Sequence, residues 1–139
     1  MEIGVGLDVS LKLSFDDEAR MSAEAATVGY ESIWTPVGQG YDSFQICAHR
    51  WSASRSFAPD GVGTGISVSP VANRTPISLA MSAGTLSAMS GGRFVLGIGT
   101  GGIYHPSGRR PYGLPEVSAL DTMRDYVTTV RALVAGRGK

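Results

Sequence analysis

Residues 62–98, VGTGISVSPVANRTPISLAMSAGTLSAMSGGRFVLGI, decide the fold class. Val62 to Val68 is a short β-prone run. Thr75 and Pro76 then stand where a helix should begin. A Thr oxygen can cap a free N–H, and Pro at the first helical position forfeits no intrahelical bond. From there Ile77, Ala80, Met81, Gly84 and Ala88 recur three and four apart, the spacing of one helix face. Gly91 and Gly92 end the helix, and Phe94 to Ile98 is again a strand. A helical crossover between consecutive strands implies a parallel pair, because an antiparallel pair needs only a tight turn.

The same unit occurs throughout the chain. Ile3, Val5, Leu7 and Val9 alternate with Gly4, Gly6 and Asp8, the period of a strand. Ser14 caps the next helix, with Asp16, Asp17 and Glu18 placed at its positive end. Its apolar face is expected to be Phe15, Ala19, Ala23 and Ala26, and Gly29 closes it. Ser32 to Thr35 is a second strand stopped by Pro36, and a helix from about Asp42 to Ala53 follows a Gly-rich loop. After the fourth strand comes a loop holding Pro106, Pro111 and Pro115. The last helix carries Val117, Leu120, Met123, Val127, Val130 and Val134 on one face. Gly136 ends it, with Arg131, Arg137 and Lys139 near its negative end.

The order is therefore βαβαβαβα, with strands starting about 30 residues apart. Two α/β architectures share this grammar. One is an open doubly wound sheet. The other is a (β/α)8 TIM barrel, which takes roughly 250 residues. Four units in 139 residues make half such a barrel, so residues 1–139 are expected to be one half-barrel domain.

Composition excludes several classes. Twelve basic residues balance twelve acidic ones, and no basic stripe is visible, which speaks against nucleic acid and anionic membranes as partners. No apolar run approaches the 18 residues of a membrane span. The start, MEIGVGLDVS, lacks the basic end and continuous apolar core of a secretory signal. Cys47 is the only cysteine, so no internal disulfide forms and a cytoplasmic location is expected. Cys47 and His49 are two apart on a helix and face different sides, so the thiol is expected to be structural. Two histidines, His49 and His105, are too few for a metal site, and none is expected.

Gly97, Gly99 and Gly102 spell G-x-G-x-x-G after a strand, the pattern of dinucleotide-binding folds. That pattern needs a helix to start within the glycines so that its N-terminus meets pyrophosphate. Here Ile103 to Gly108 has the composition of a loop, so a Rossmann-like nucleotide-binding domain is the weaker alternative. Glycine there would also let a flat ligand approach the backbone.

The segment GTGISVSPVANRTPISLAMSAGTLSAMSGGRFVLGIGTGG at 63–102 resembles the third strand to fourth loop of the luciferase-like monooxygenase superfamily. LSAMSGGRFVLGIGTG is its most specific part, supported by AEAATVGYESIW at 23–34 and DTMRDYVTTVRAL at 121–133. The branch it most resembles is that of the coenzyme F-420-dependent oxidoreductases, and FMN-dependent members share the pattern. The resemblance implies a (β/α)8 barrel holding a flavin or deazaflavin at the C-terminal ends of its strands. It implies hydride transfer to, or oxygenation of, a small organic substrate. Carried over by position, Gly65 and Ile66 would form a bulge behind the ring, often at a non-prolyl cis peptide. Ser67 and Ser69 would follow on the loop. Gly99, Thr100 and Gly101 would line the ring, and Asp8 and Thr35 would face the same mouth.

Other residues carry weaker expectations. His105 is a possible proton-transfer group, Arg109 and Arg110 possible anion binders, and Trp34, Trp51, Arg74 and Arg93 packing or structural residues. In the sugar-phosphate dehydrogenase branch a Glu follows the fourth-strand glycines and an Asp lies in the second-strand loop. Gly102 and Val37 hold those places here, so neither acid–base role transfers and no catalytic residue is assigned. The resembled family has eight units, so a complementary half-barrel or a homodimer is an expected partner. A non-catalytic half-barrel remnant that binds flavin weakly is the alternative to an enzyme.

Overall fold

The computed structural model describes residues 2–38 and 40–136. Four strands, β1 (Gly4–Gly6), β2 (Ser32–Thr35), β3 (Gly63–Pro70) and β4 (Phe94–Gly99), form one parallel sheet in the order β1-β2-β3-β4. Helices α1 (Phe15–Thr27), α2 (Ser43–Ser54) and α3 (Pro76–Met89) make the crossovers. A single turn, α4 (Pro106–Arg109), precedes the last helix, α5 (Ala119–Val134). Sequential strand order with crossovers of one hand places every helix on the same face of the sheet. A doubly wound sheet instead reverses its strand order at a switch point. No reversal occurs among the described strands, so the architecture is four units of a (β/α)8 barrel.

Side chains set the helix starts. Ser14 Oγ accepts from Asp17 N at 3.1 Å, and Asp42 Oδ1 accepts from Phe44 N and Gln45 N at 3.1 and 3.2 Å. Thr75 Oγ1 accepts from Ser78 N at 3.3 Å ahead of Pro76, and Ser118 Oγ from Asp121 N at 3.2 Å. The first strand is shorter than its alternation suggests. Asp8 Oδ1 accepts from Ser10 N at 2.8 Å and turns the chain into a 3-10 turn at Val9–Leu11. Gly136 follows α5 with a φ of +70°. Arg137 and Lys139, expected beside it, lie outside the described residues.

The core lies between sheet and helices in two clusters. One joins Ile66 and Phe94 to Phe44, Leu79, Leu86 and Val130, and the other joins Leu7 and Ile33 to Ala25 and Val62. Three helix faces differ from expectation. α1 buries Glu18, Ser22 and Ala25, while Phe15 lies outside against Tyr41 and His49. α3 buries Leu79, Ala80, Ala83 and Leu86, and leaves Ile77 and Met81 exposed. Apolar residues surround α3, so spacing alone could not choose its inner face. Along α5 only Val130 is buried. Leu120 is exposed, and Val134 stays exposed on the wall of a groove of about 900 Å³ beside β4, lined also by Phe94, Leu96, Ile98, Val127 and Val130. Among the described residues β4 pairs only with β3, and β1 only with β2.

Candidate functional site

Strand alternation divides the sheet chemically. Toward the helices point Val5 and Leu7, Ile33 and Thr35, Thr64 and Ile66, and Phe94, Leu96 and Ile98. The helix-free face carries Gly4 and Gly6, Ser32 and Trp34, Gly63 and Gly65, and Val95, Gly97 and Gly99. It has no ionisable side chain, and Val95 is half exposed on it. Most barrel interiors are filled by layers of bulky branched residues, so this glycine surface is unusual.

At the C-terminal ends of β3 and β4 the ladder breaks. Ile66 pairs with Leu96 and Ser69 with Ile98, leaving Ser67 and Val68 as a bulge between them. The Ser67–Val68 peptide is cis. The irregularity was expected at Gly65–Ile66, but those two residues sit in the regular ladder opposite Val95 and Leu96. Ile66 is fully buried among the helices, so only its backbone is available to a ligand on the other face.

The bulge explains two of the three motif glycines. A Cβ on Gly97 would strike the Ile66 carbonyl oxygen and lie 3.1 Å from Val68 Cγ1, and one on Gly99 would lie 2.8 Å from Val68 Cγ2. Gly99 therefore admits the Val68 side chain and Gly97 the Ile66 carbonyl, and Val68 is 46% exposed. Gly101 has a φ of +60°, and a Cβ there would strike the Pro70 ring. Ser67, Gly99, Thr100 and Gly101 lie at the ends of β3 and β4 beside Val68, while Gly65 sits lower on the sheet, level with Val95. Val68 was missed because alternation along GTGISV gives no sign of the extra bulge residue.

Asp8 and Thr35 were expected at the same mouth. Asp8 is exposed at the end of β1, its carboxyl held below the usual range by the Ser10 hydroxyl and N–H. Thr35 is 3% exposed, and with Asp8 it lines a small cavity at the ends of β1 and β2. Its Oγ1 accepts from Arg50 Nη1 at 2.7 Å and from Cys47 Sγ at 3.3 Å. Burial pushes the Cys47 thiol up from its ordinary value of 9.0. Arg50 itself is buried and also binds Glu18. Glu18 is thus a buried ion-pair partner rather than a helix-dipole charge, and nothing local in the sequence pairs it with a residue 32 positions away.

The remaining candidates have structural partners. His105 caps α4, its Nδ1 2.8 Å from Ser107 Oγ. Arg109 Nη1 donates to Ile103 O at 3.2 Å, and Arg110 opens a 3-10 turn. Beside the mouth, a cavity of about 690 Å³ lies between the starts of α2 and α3, with an Asp42–Arg74 ion pair on its wall. Among the described residues no three His, Cys, Asp or Glu side chains gather as a metal site. No described helix is long and apolar enough to cross a membrane.

A singly wound α/β sheet with a charge-free, glycine-lined face on its helix-free side defines the class as a (β/α)8-type domain. Residues 2–138 match the luciferase-like monooxygenase family, and the chain belongs to it. It is 31% identical over 136 residues to a Mycobacterium tuberculosis protein named as a coenzyme F-420-dependent oxidoreductase, covering 94% of this chain and 37% of that one. The oxygenating constituent of 3,6-diketocamphane monooxygenase from Pseudomonas putida, solved with FMN, matches with a TM-score of 0.74 at 18% identity. That match covers 96% of this chain and 40% of the other. Coenzyme F-420-dependent tetrahydromethanopterin reductase from Methanopyrus kandleri matches with a TM-score of 0.69 at 19% identity, over 96% and 39%. The chain thus spans about two fifths of the length of these proteins.

Proposed function

We propose that residues 1–139 form the N-terminal half of a luciferase-like barrel domain that binds coenzyme F-420 or FMN at the β3–β4 mouth. The domain would serve an oxidoreductase acting on a small organic substrate by hydride transfer or oxygenation. The observation that carries this is the helix-free surface made by Trp34, Gly65, Val68 and Gly99. It is apolar and uncharged, with Trp34 and Val68 set among glycines, which suits a flat fused ring.

Each residue has a stated part. Val68 and Gly65 back the ring, and Ile66 contributes through its backbone alone. Ser67 and Thr100 offer hydroxyls, and Gly99 and Gly101 offer close backbone approach. Asp8 stands at the rim. Thr35 acts from behind, as the group through which Arg50 holds the end of β2. The cofactor, when bound, accepts or delivers the hydride or activates oxygen, while the protein orients the ring and excludes water. The relative named as F-420-dependent supports the deazaflavin, and the FMN complex of the diketocamphane monooxygenase supports the flavin.

A second reading rests on the open edge of β4 and the apolar groove between it and α5. Unpaired edges invite strand addition, so a complementary half-barrel or a second copy is the proposed partner. A lone buried thiol suits a reducing, cytoplasmic compartment. The direct test titrates the protein with F-420, FMN and NAD by fluorescence and measures its mass in solution. Saturable binding of F-420 or FMN is expected, and binding of NAD alone would overturn the proposal.

A further inference from the structure

We propose that Trp34 is the floor of the cofactor seat, a ring-contacting residue that fixes how deep the fused ring sits. The inference rests on the reading of this mouth as a flavin or deazaflavin site. Register places Gly6, Trp34, Gly65 and Val95 level across the four strands. In that layer Trp34 is the one large side chain. Its indole lies across three strands. A Cβ on Gly4 would be 2.8 Å from Trp34 Nε1, and one on Gly65 2.5 Å from Cζ3. The glycines on either side are therefore the space the indole occupies.

The polar edge of the indole is already satisfied. Nε1 donates to Ser32 Oγ at 3.1 Å, toward the N-terminal end of β2. What remains is a half-buried aromatic face one residue pair below Gly97 and Val68. Beside it Gly6 has open space, with nothing within 4 Å of a Cβ. A fused planar aromatic ring resting on this surface would meet indole below and Val68 behind. Aromatic pairs gain about 0.5–1.5 kcal/mol beyond burial alone, or roughly two- to tenfold in affinity. Trp51 has no such place. It lies on α2 with its Nε1 donating to Asp60 O and Arg55 over its ring.

The test uses FMN, with F-420 in parallel, against the wild type and the variants Trp34→Phe, Trp34→Leu and Trp51→Phe. An indole touching an excited flavin quenches it, so ring emission at saturation should be low in the wild type and in Trp51→Phe. Trp34→Phe should restore emission with a small change in Kd, and Trp34→Leu should raise Kd about two- to tenfold. Thermal melts confirm that each variant is folded, and the emission of Trp34→Phe decides the matter if the Leu variant is not. Equal emission and equal Kd in wild type and Trp34→Phe would overturn the role of Trp34 and leave the cofactor reading standing. Failure of the wild type to bind either ring would overturn both.

Discussion

Arg50 and Glu18 form a buried two-point ion pair, Nε to Oε2 at 2.6 Å and Nη2 to Oε1 at 2.9 Å. Arg50 also donates to Thr35 Oγ1, Trp34 O and Leu7 O, so every guanidinium N–H has an acceptor. One side chain thereby ties α1 and α2 to the ends of β1 and β2. Asp8 follows Leu7 directly, and Trp34 is itself held through its carbonyl.

Breaking that pair leaves a carboxylate buried without a partner. Arg50→Met should lower stability by about 3–5 kcal/mol, read from the urea midpoint. The double variant Arg50→Met with Glu18→Met should recover much of the loss, because no charge is then stranded. Arg50→Lys should recover less, since an ammonium lacks the planar fork that reaches both carboxylate oxygens and Thr35.

Cys47 is fully buried and its thiol is raised above 9.0 by desolvation. In the folded protein it should resist alkylation at pH 8, and react at once in denaturant. The unfolded chain loses the thiol proton near 9.0 while the folded chain keeps it. Stability from this group is therefore present below that pH and falls as pH rises above it. Cys47→Ala should flatten that alkaline decline in a series of melts, and an unchanged slope would contradict the burial effect.

Val68 and Gly99 are in contact at the mouth. Gly99→Ala places a Cβ 2.8 Å from Val68 Cγ2 and should cost about 1–3 kcal/mol while pushing Val68 into the seat. Ring affinity should fall in parallel. Adding Val68→Ala should restore stability, and a double-mutant cycle measures the coupling. Purely additive losses would show that the two residues do not share this space.

Much of this fold was legible in the chain itself. The caps at Ser14 and Thr75, the strand at Ser32 to Thr35, and the strand–helix alternation all rest on local chemistry. The family resemblance likewise directed attention to Gly99, Thr100 and Gly101. What escaped depends on contacts distant in sequence. Glu18 meets Arg50 only after α1 and α2 pack, and the inner face of α3 is chosen by the sheet rather than by its own spacing. The bulge lies at Ser67–Val68, two residues beyond Gly65–Ile66, because register is set between strands and not along one.

The central claim is that a flavin or deazaflavin ring rests on the helix-free face at the ends of β3 and β4. Amide hydrogen exchange with and without saturating F-420 or FMN tests it most directly. Slowed exchange is predicted in residues 63–70 and 94–102, with α1 unchanged. Protection confined to the groove between β4 and α5, with residues 63–70 unaffected, would contradict it.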